Sequence, residues 1–283
     1  MKNKDIHIRD PFIVCENGKY YMYGTRGNNF GQGTGGFDVY IGTDLENWSE
    51  AKQVFDSAEF GLNNSANWAP EVHKFNGKYY IFATFEQENG MRGTYSLVSD
   101  TPDGRFVPCS KKALTPEEWW SLDGTLYVDK NGAPYLVFCH EHVQITNGTV
   151  CYIRLNDELS ASVGEPVYLF SGSDAYGVTE IKGNRYVTDG PFMFRGLNAR
   201  LYMIWSTSVN GQYYQCIAVS DNGDISGKWI QLEPIFTKDG GHGMVFYDLN
   251  GELRLTLHCP NEQPNERPAF FSLKDNGTSL IIG

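Results

Sequence analysis

Five ionisable residues, Asp10, Glu71, Asp123, Asp189 and His242, open five copies of one short pattern. The fullest copy runs from Arg9 to Thr25, Arg-Asp-Pro-Phe-Ile-Val-Cys-Glu-Asn-Gly-Lys-Tyr-Tyr-Met-Tyr-Gly-Thr. A carboxylate and a Pro lead into a short apolar strand, an Asn-Gly turn follows, and an aromatic-rich strand returns. If the copies converge, four carboxylates and an imidazole share one site. Crowding like charges is costly and pushes their pKa values apart, which points to proton-handling chemistry rather than to scaffold. The plainer alternative is that these residues cap strands and face water, a use for which turn chemistry selects the same types.

Elements able to bring such residues together can be read from the spacing. The leading residues fall at 10, 71, 123, 189 and 242, a period in the range of propellers built from four-stranded blades. After its opening hairpin the first unit offers strand-like runs at residues 37–41 and 51–55. The second offers 93–98 and the neighbourhood of Phe106 and Val107; the third, 149–153 and 166–170. The fourth offers 215–219 and 229–232, and the fifth 269–273 and 280–282. These runs predict an all-β fold, a five-bladed β-propeller with four-stranded blades, forming a single domain over residues 1–283. The first strand of each blade lines the central channel, so the five leading residues gather near the axis at one end.

Composition narrows the partners. A formal net charge of −11 and the absence of any Lys/Arg run argue against nucleic acid. Aromatic side chains make up 14 % of the chain, and they can stack on sugar faces without charge, so a carbohydrate is the expected partner. No apolar run is long enough to span a bilayer, and no membrane partner is expected. Met1-Lys2-Asn3-Lys4-Asp5 enters the first repeat without a leader, which predicts a cytoplasmic protein, or a secreted or periplasmic one if a leader has been removed. The six cysteines are scattered without a C-x-x-C pair and are expected to be buried free thiols.

Smaller motifs divide between chemistry and scaffold. Gly31-Gln32-Gly33-Thr34-Gly35-Gly36 matches G-x-G-x-x-G, but a β-type run follows it where a dinucleotide site needs a helix, so a loop is expected. His140-Glu141-His142 sets two imidazoles at strand spacing, half of a metal site with no third ligand nearby, and His140 is also placed to touch substrate. Trp68 precedes Glu71 in Trp-Ala-Pro-Glu and offers a plate for a sugar ring, with a core or rim indole as the alternative. Trp119 and Trp120 offer another plate, although neighbours in sequence cannot easily face the same way. Gly240, Gly241 and Gly243 around His242 permit close approach.

Taken in order, Asp-Pro, Trp-Ala-Pro-Glu, Leu-Asp-Gly-Thr, Asp-Gly-Pro and Gly-His-Gly-Met give a chain that resembles glycoside hydrolase family 43 from Arg9 onward. That family includes α-L-arabinofuranosidases, arabinanases and β-xylosidases. The resemblance implies an inverting glycosidase with Asp10 as general base, Asp123 as the carboxylate that orients the acid and raises its pKa, and Asp189 as general acid. Trp68, Glu71 and His140 are then expected to bind substrate. His242 matches a histidine that helps to hold a hydrated calcium or sodium ion on the axis, with no cofactor required for the chemistry. The family's acid is normally Glu before Gly-Pro; Asp189 is shorter by one methylene, and misplacement by about an ångström can cost ~10²-fold in rate. Glu180 is a second candidate acid, and a carbohydrate-binding propeller with a weakened acid is the alternative function. Absence of a β-sandwich after the fifth repeat favours furanosides over xylosides.

Overall fold

A computed structural model describes residues 1–27, 35–178 and 185–283. The described residues form five four-stranded antiparallel sheets, each built from strands consecutive in the chain. The first blade holds β1 (Ile8–Glu16), β2 (Lys19–Arg26), β3 (Phe37–Gly42) and β4 (Lys52–Phe55). The second holds β5 (Trp68–Phe75), β6 (Lys78–Glu86), β7 (Arg92–Ser99) and β8 (Val107–Pro108), and the third β9 (Ser121–Val128), β10 (Pro134–His140), β11 (Thr149–Leu155) and β12 (Ser162–Ser171). In the fourth are β13 (Asp189–Arg195), β14 (Leu201–Val209), β15 (Gln212–Ser220) and β16 (Trp229–Phe236). The fifth has β17 (Gly241–Tyr247), β18 (Leu253–Cys259), β19 (Arg267–Asp275) and β20 (Leu280–Ile282). The five-bladed propeller expected from the repeat spacing is the fold.

The tight turns follow local chemistry. Asn17-Gly18 and Asn76-Gly77 hold positive φ at both positions, as a two-residue hairpin with right-handed twist requires. Between the sheets lies an aromatic core in which Tyr23, Phe37, Phe82, Phe138, Tyr202 and Trp205 are fully buried. All six cysteines are free; Cys139, Cys151 and Cys216 are buried, whereas Cys15, Cys109 and Cys259 are only partly so. None of the helices among the described residues is long and apolar enough to cross a membrane.

One irregularity recurs in every blade. Each innermost strand shifts register near its start, and a residue with positive φ sits at the shift: Asp10 (53°), Ala69 (48°), Asp123 (56°), Gly190 (51°) and His242 (49°). Four of these are not glycine, and residues other than glycine in left-handed backbone are uncommon and cluster where a fold holds a functional group against strain. The residues just before the bulge face Thr25, Thr84, Cys139, Ser206 and His258 on the second strands.

That five-fold equivalence corrects the register expected from charge alone. Asp10, Asp123 and His242 do occupy equivalent places. In the second and fourth blades, however, the equivalents are Ala69 and Gly190, so Glu71 sits two residues further along its strand and Asp189 one residue earlier.

Candidate active site

Asp10, Asp123 and His242 meet where their bulges converge. Nδ1 of His242 lies 3.2 Å from Oδ1 of Asp10 and 3.6 Å from Oδ2 of Asp123. Glycine makes this approach feasible: a Cβ on Gly190 would stand 2.5 Å from the His242 ring, and one on Gly241 would stand 2.7 Å from the ring of Tyr213. Asp10 and Asp189 keep partial exposure, whereas Asp123 is buried.

Each carboxylate has its own anchor. Oδ2 of Asp10 accepts a hydrogen bond from Oγ1 of Thr25 at 2.6 Å, and its backbone N–H donates to Nδ1 of His258 at 3.2 Å. Oδ2 of Asp123 accepts from the N–H of Gly190 at 3.0 Å. Oδ2 of Asp189 accepts from the hydroxyl of Tyr213 at 2.9 Å. Beneath Asp10, Arg9 spans Oε1 of Glu266 at 2.8 Å and Oδ1 of Asn261 at 2.6 Å, and His7 meets Oε2 of Glu266 at 3.0 Å. These contacts also join the first blade to the last.

Environment drives the three carboxyls apart. Burial pushes Asp10 up, but His242, His258 and Arg9 outweigh it and hold Asp10 below the usual carboxylate range. Burial pushes Asp189 up to about 7, helped by the charges of Glu141 and Asp10 and opposed by the Tyr213 hydroxyl. Asp123 is raised well above its ordinary value by burial and by its Asp189 and Asp10 neighbours, with the Gly190 N–H opposing. Burial lowers His242 to about 4, so the imidazole is neutral at neutral pH. At that pH the site therefore holds one firmly ionised carboxylate and a group of carboxyls that retains a proton, the pairing needed for general base and general acid work.

Glu71 lies deeper in the channel. It is buried, pushed up by that burial, and paired with Nε2 of His73 at 3.0 Å. The His73 ring packs against Phe12 at 5.1 Å and stacks on Phe192 at 6.5 Å, so Glu71 belongs to the plug beneath the site. Trp68 presents one indole face to Arg92, whose guanidinium lies 5.0 Å from that ring and 4.5 Å from the ring of Trp120. Trp119 instead stacks on His140 at 4.1 Å, so the adjacent indoles do diverge. His140 is buried and bonded through Nε2 to Gln144 at 2.7 Å, which leaves it little to offer a substrate.

The His140/His142 half-site does not form, because β10 stops at His140 and His142 opens a single helical turn (His142–Ile145). Glu141 between them is the residue that matters: it is buried, ion-paired with Arg92, and its charge reaches both Asp123 and Asp189. Glu180 and most of the 31–36 glycine loop lie outside the described residues. Sequence reasoning also missed Thr25, Tyr213 and His258. Thr25 and His258 could have been found by aligning second strands, where they stand level with Thr84 and Ser206; Tyr213 carries no such signal.

No group of three or more His, Cys, Asp or Glu side chains suited to a metal ion occurs among the described residues. Nε2 of His242 is nevertheless buried with no hydrogen-bond partner, and its ring borders two carboxylates. One protein nitrogen in an anionic setting fits an ion held mainly through water.

Comparison with known proteins finds relatives that share the fold. A solved endo-arabinase from Bacteroides thetaiotaomicron VPI-5482 is 36 % identical, with a TM-score of 0.88 over 98 % of this chain and 97 % of that one. An extracellular endo-alpha-(1->5)-L-arabinanase 1 from Bacillus subtilis (strain 168) is 23 % identical over 145 residues, 46 % of this chain and 42 % of its own. An extracellular exo-alpha-(1->5)-L-arabinofuranosidase from Streptomyces chartreusis is 25 % identical over 180 residues, covering 60 % of this chain and 53 % of its own. The chain spans about half the length of the curated relatives it matches. The sequence profile of Glycosyl hydrolases family 43 matches residues 5–271, and the chain belongs to that family.

Proposed function

We propose that the protein is an inverting glycosidase that hydrolyses arabinofuranosyl linkages of plant-type polysaccharides or oligosaccharides. Asp10, ionised and held by Thr25, takes a proton from the attacking water. Asp189, raised to about 7 and so still partly protonated at neutral pH, gives its proton to the leaving glycosidic oxygen. Asp123 has, by the family resemblance, the part of orienting the acid; burial and the charges of Asp189 and Asp10 raise it well above its ordinary value. The observation that carries the reading is the divergence of Asp10 and Asp189, both partly exposed: one is held below the carboxylate range and the other is raised to about 7. The arabinose preference is supported by the full-length likeness to the Bacteroides endo-arabinase. Xylosyl linkages are the alternative sugar.

His242 would hold a hydrated cation through Nε2, which would add positive charge beside the carboxylates. The chemistry proper is left to the carboxyls. Calorimetric titration of calcium into chelator-treated protein, wild type beside His242→Ala, tests this: heat in the first and none in the second is expected, and equal heats would refute it.

The function is tested by following hydrolysis of arabinan and of aryl α-L-arabinofuranoside and β-D-xyloside across pH, with the product anomer read by NMR. Inverted product that disappears in Asp10→Asn is expected; retained configuration or a fully active mutant would overturn the mechanism. A second reading, a sugar-binding propeller with a weakened acid, draws on the tie between Tyr213 and Asp189, which holds the shorter carboxyl against its own blade. A large rate gain in Asp189→Glu would favour it.

A further inference from the structure

The five bulges are joined by a ring of hydrogen bonds with one break. At each bulge the backbone N–H faces the preceding blade. Ala69 donates to Oγ1 of Thr25 at 2.7 Å, Asp123 to Oγ1 of Thr84 at 3.0 Å, His242 to Oγ of Ser206 at 2.8 Å, and Asp10 to Nδ1 of His258 at 3.2 Å. The four acceptors occupy the same position, opposite the residue just before the preceding blade's own bulge. Each buried donor is thereby satisfied by a side chain across the seam.

At the seam between the third and fourth blades the equivalent position is Cys139, opposite Leu122. A thiol is a weak acceptor. The fourth N–H, from Gly190, bonds instead to Oδ2 of Asp123, the bulge residue of the preceding blade. Of the five seams, this is the one whose bulge N–H bonds a carboxylate at the centre of the site.

We propose that Cys139 is a positioning residue for Asp123: by withholding a strong acceptor at the latch position, it leaves the Gly190 N–H to orient the carboxylate. This rests on the proposed glycosidase for its kinetic consequence, but not for its geometry. A hydroxyl at 139 has three precedents in the same molecule. Thr25, Thr84 and Ser206, at equivalent positions, each take the N–H of the next bulge.

Cys139→Ser is the test, with Cys139→Thr beside it and Cys139→Ala as the variant without an acceptor. The first readout is the Gly190 amide in glycine-labelled protein, assigned by its loss in Gly190→Ala and by its displacement in Asp123→Asn. The Gly190 amide is expected to leave its wild-type position in Cys139→Ser or Cys139→Thr and to keep it in Cys139→Ala. The second readout is hydrolysis, where kcat should fall roughly tenfold in the hydroxyl variants with KM little changed, as expected when the bond that orients a carboxyl at the reacting centre is diverted. An amide unmoved in both hydroxyl variants, or displaced equally in Cys139→Ala, would overturn the proposal. A displaced amide in a protein that hydrolyses no glycoside would support the latch and count against the glycosidase reading instead.

Discussion

The hydroxyl of Tyr213 donates to Oδ2 of Asp189 at 2.9 Å, from a ring that stacks on His258 at 5.7 Å. This bond favours the ionised carboxylate and so works against burial, which raises Asp189 to about 7. Tyr213→Phe removes this support for the charged form. The alkaline limb of kcat/KM, near pH 7 in the wild type because the acid must be protonated, is expected to move to higher pH.

Glu141 acts with the opposite sign. Its negative charge raises Asp189, so Glu141→Gln lowers the pKa of the acid, and the Arg92 guanidinium left without its ion pair adds to the fall. The alkaline limb is expected to move to lower pH. A pH–rate series on the two variants checks both directions, and a common direction would mean that the limb belongs to another group.

Asp10→Asn keeps a residue type that tolerates positive φ and removes the proposed base. Activity is expected to drop by ~10³-fold, within the range for loss of a general base, with little change in the thermal midpoint. The acid limb in the wild type lies at low pH, because Asp10 is held below the ordinary carboxylate range and stays ionised until well into acid.

Thr25→Val deletes both the acceptor for the Ala69 N–H and the donor to Asp10. A buried N–H without a partner costs about 1–3 kcal/mol, read as a lowered urea midpoint at unchanged m-value. Thr25→Ser should restore most of the stability and the rate, since it keeps the hydroxyl.

Gly190→Ala combines strain with collision. Its φ of 51° disfavours any side chain, and the added Cβ would meet the His242 ring at 2.5 Å. A loss of about 1–3 kcal/mol from backbone strain is expected in urea unfolding, before any cost of moving the imidazole.

The blades were legible because their signals are local: Asn-Gly turns, alternating apolar runs and a regular period. Asp10, Asp123 and His242 were legible as a set for the same reason. The bulge was not, since positive φ at Asp, Ala and His leaves no mark in residue type. Anchoring the alignment on charge put Glu71 and Asp189 out of register, whereas the following residue was the better guide. Pro11, Pro70, Gly124, Pro191 and Gly243 all stand just after a bulge. Tyr213 and Glu141 reach the site from a third strand and from a strand end, and their importance depends on burial and on neighbours from other blades. Such contacts between distant parts of the chain have no local signature.

Among the described residues every sheet is made from consecutive strands, and no strand is shared between the first blade and the last. The seam between them is spanned by Arg9 and His7 on Glu266, and by Asp10 on His258 and His242. The clasp of the ring and the setting of Asp10 are thus one structure. A parting at this seam would carry Asp10 away from its neighbours while each sheet kept its own ladder, so on warming the proposed hydrolysis is expected to be lost before the β-sheet signal.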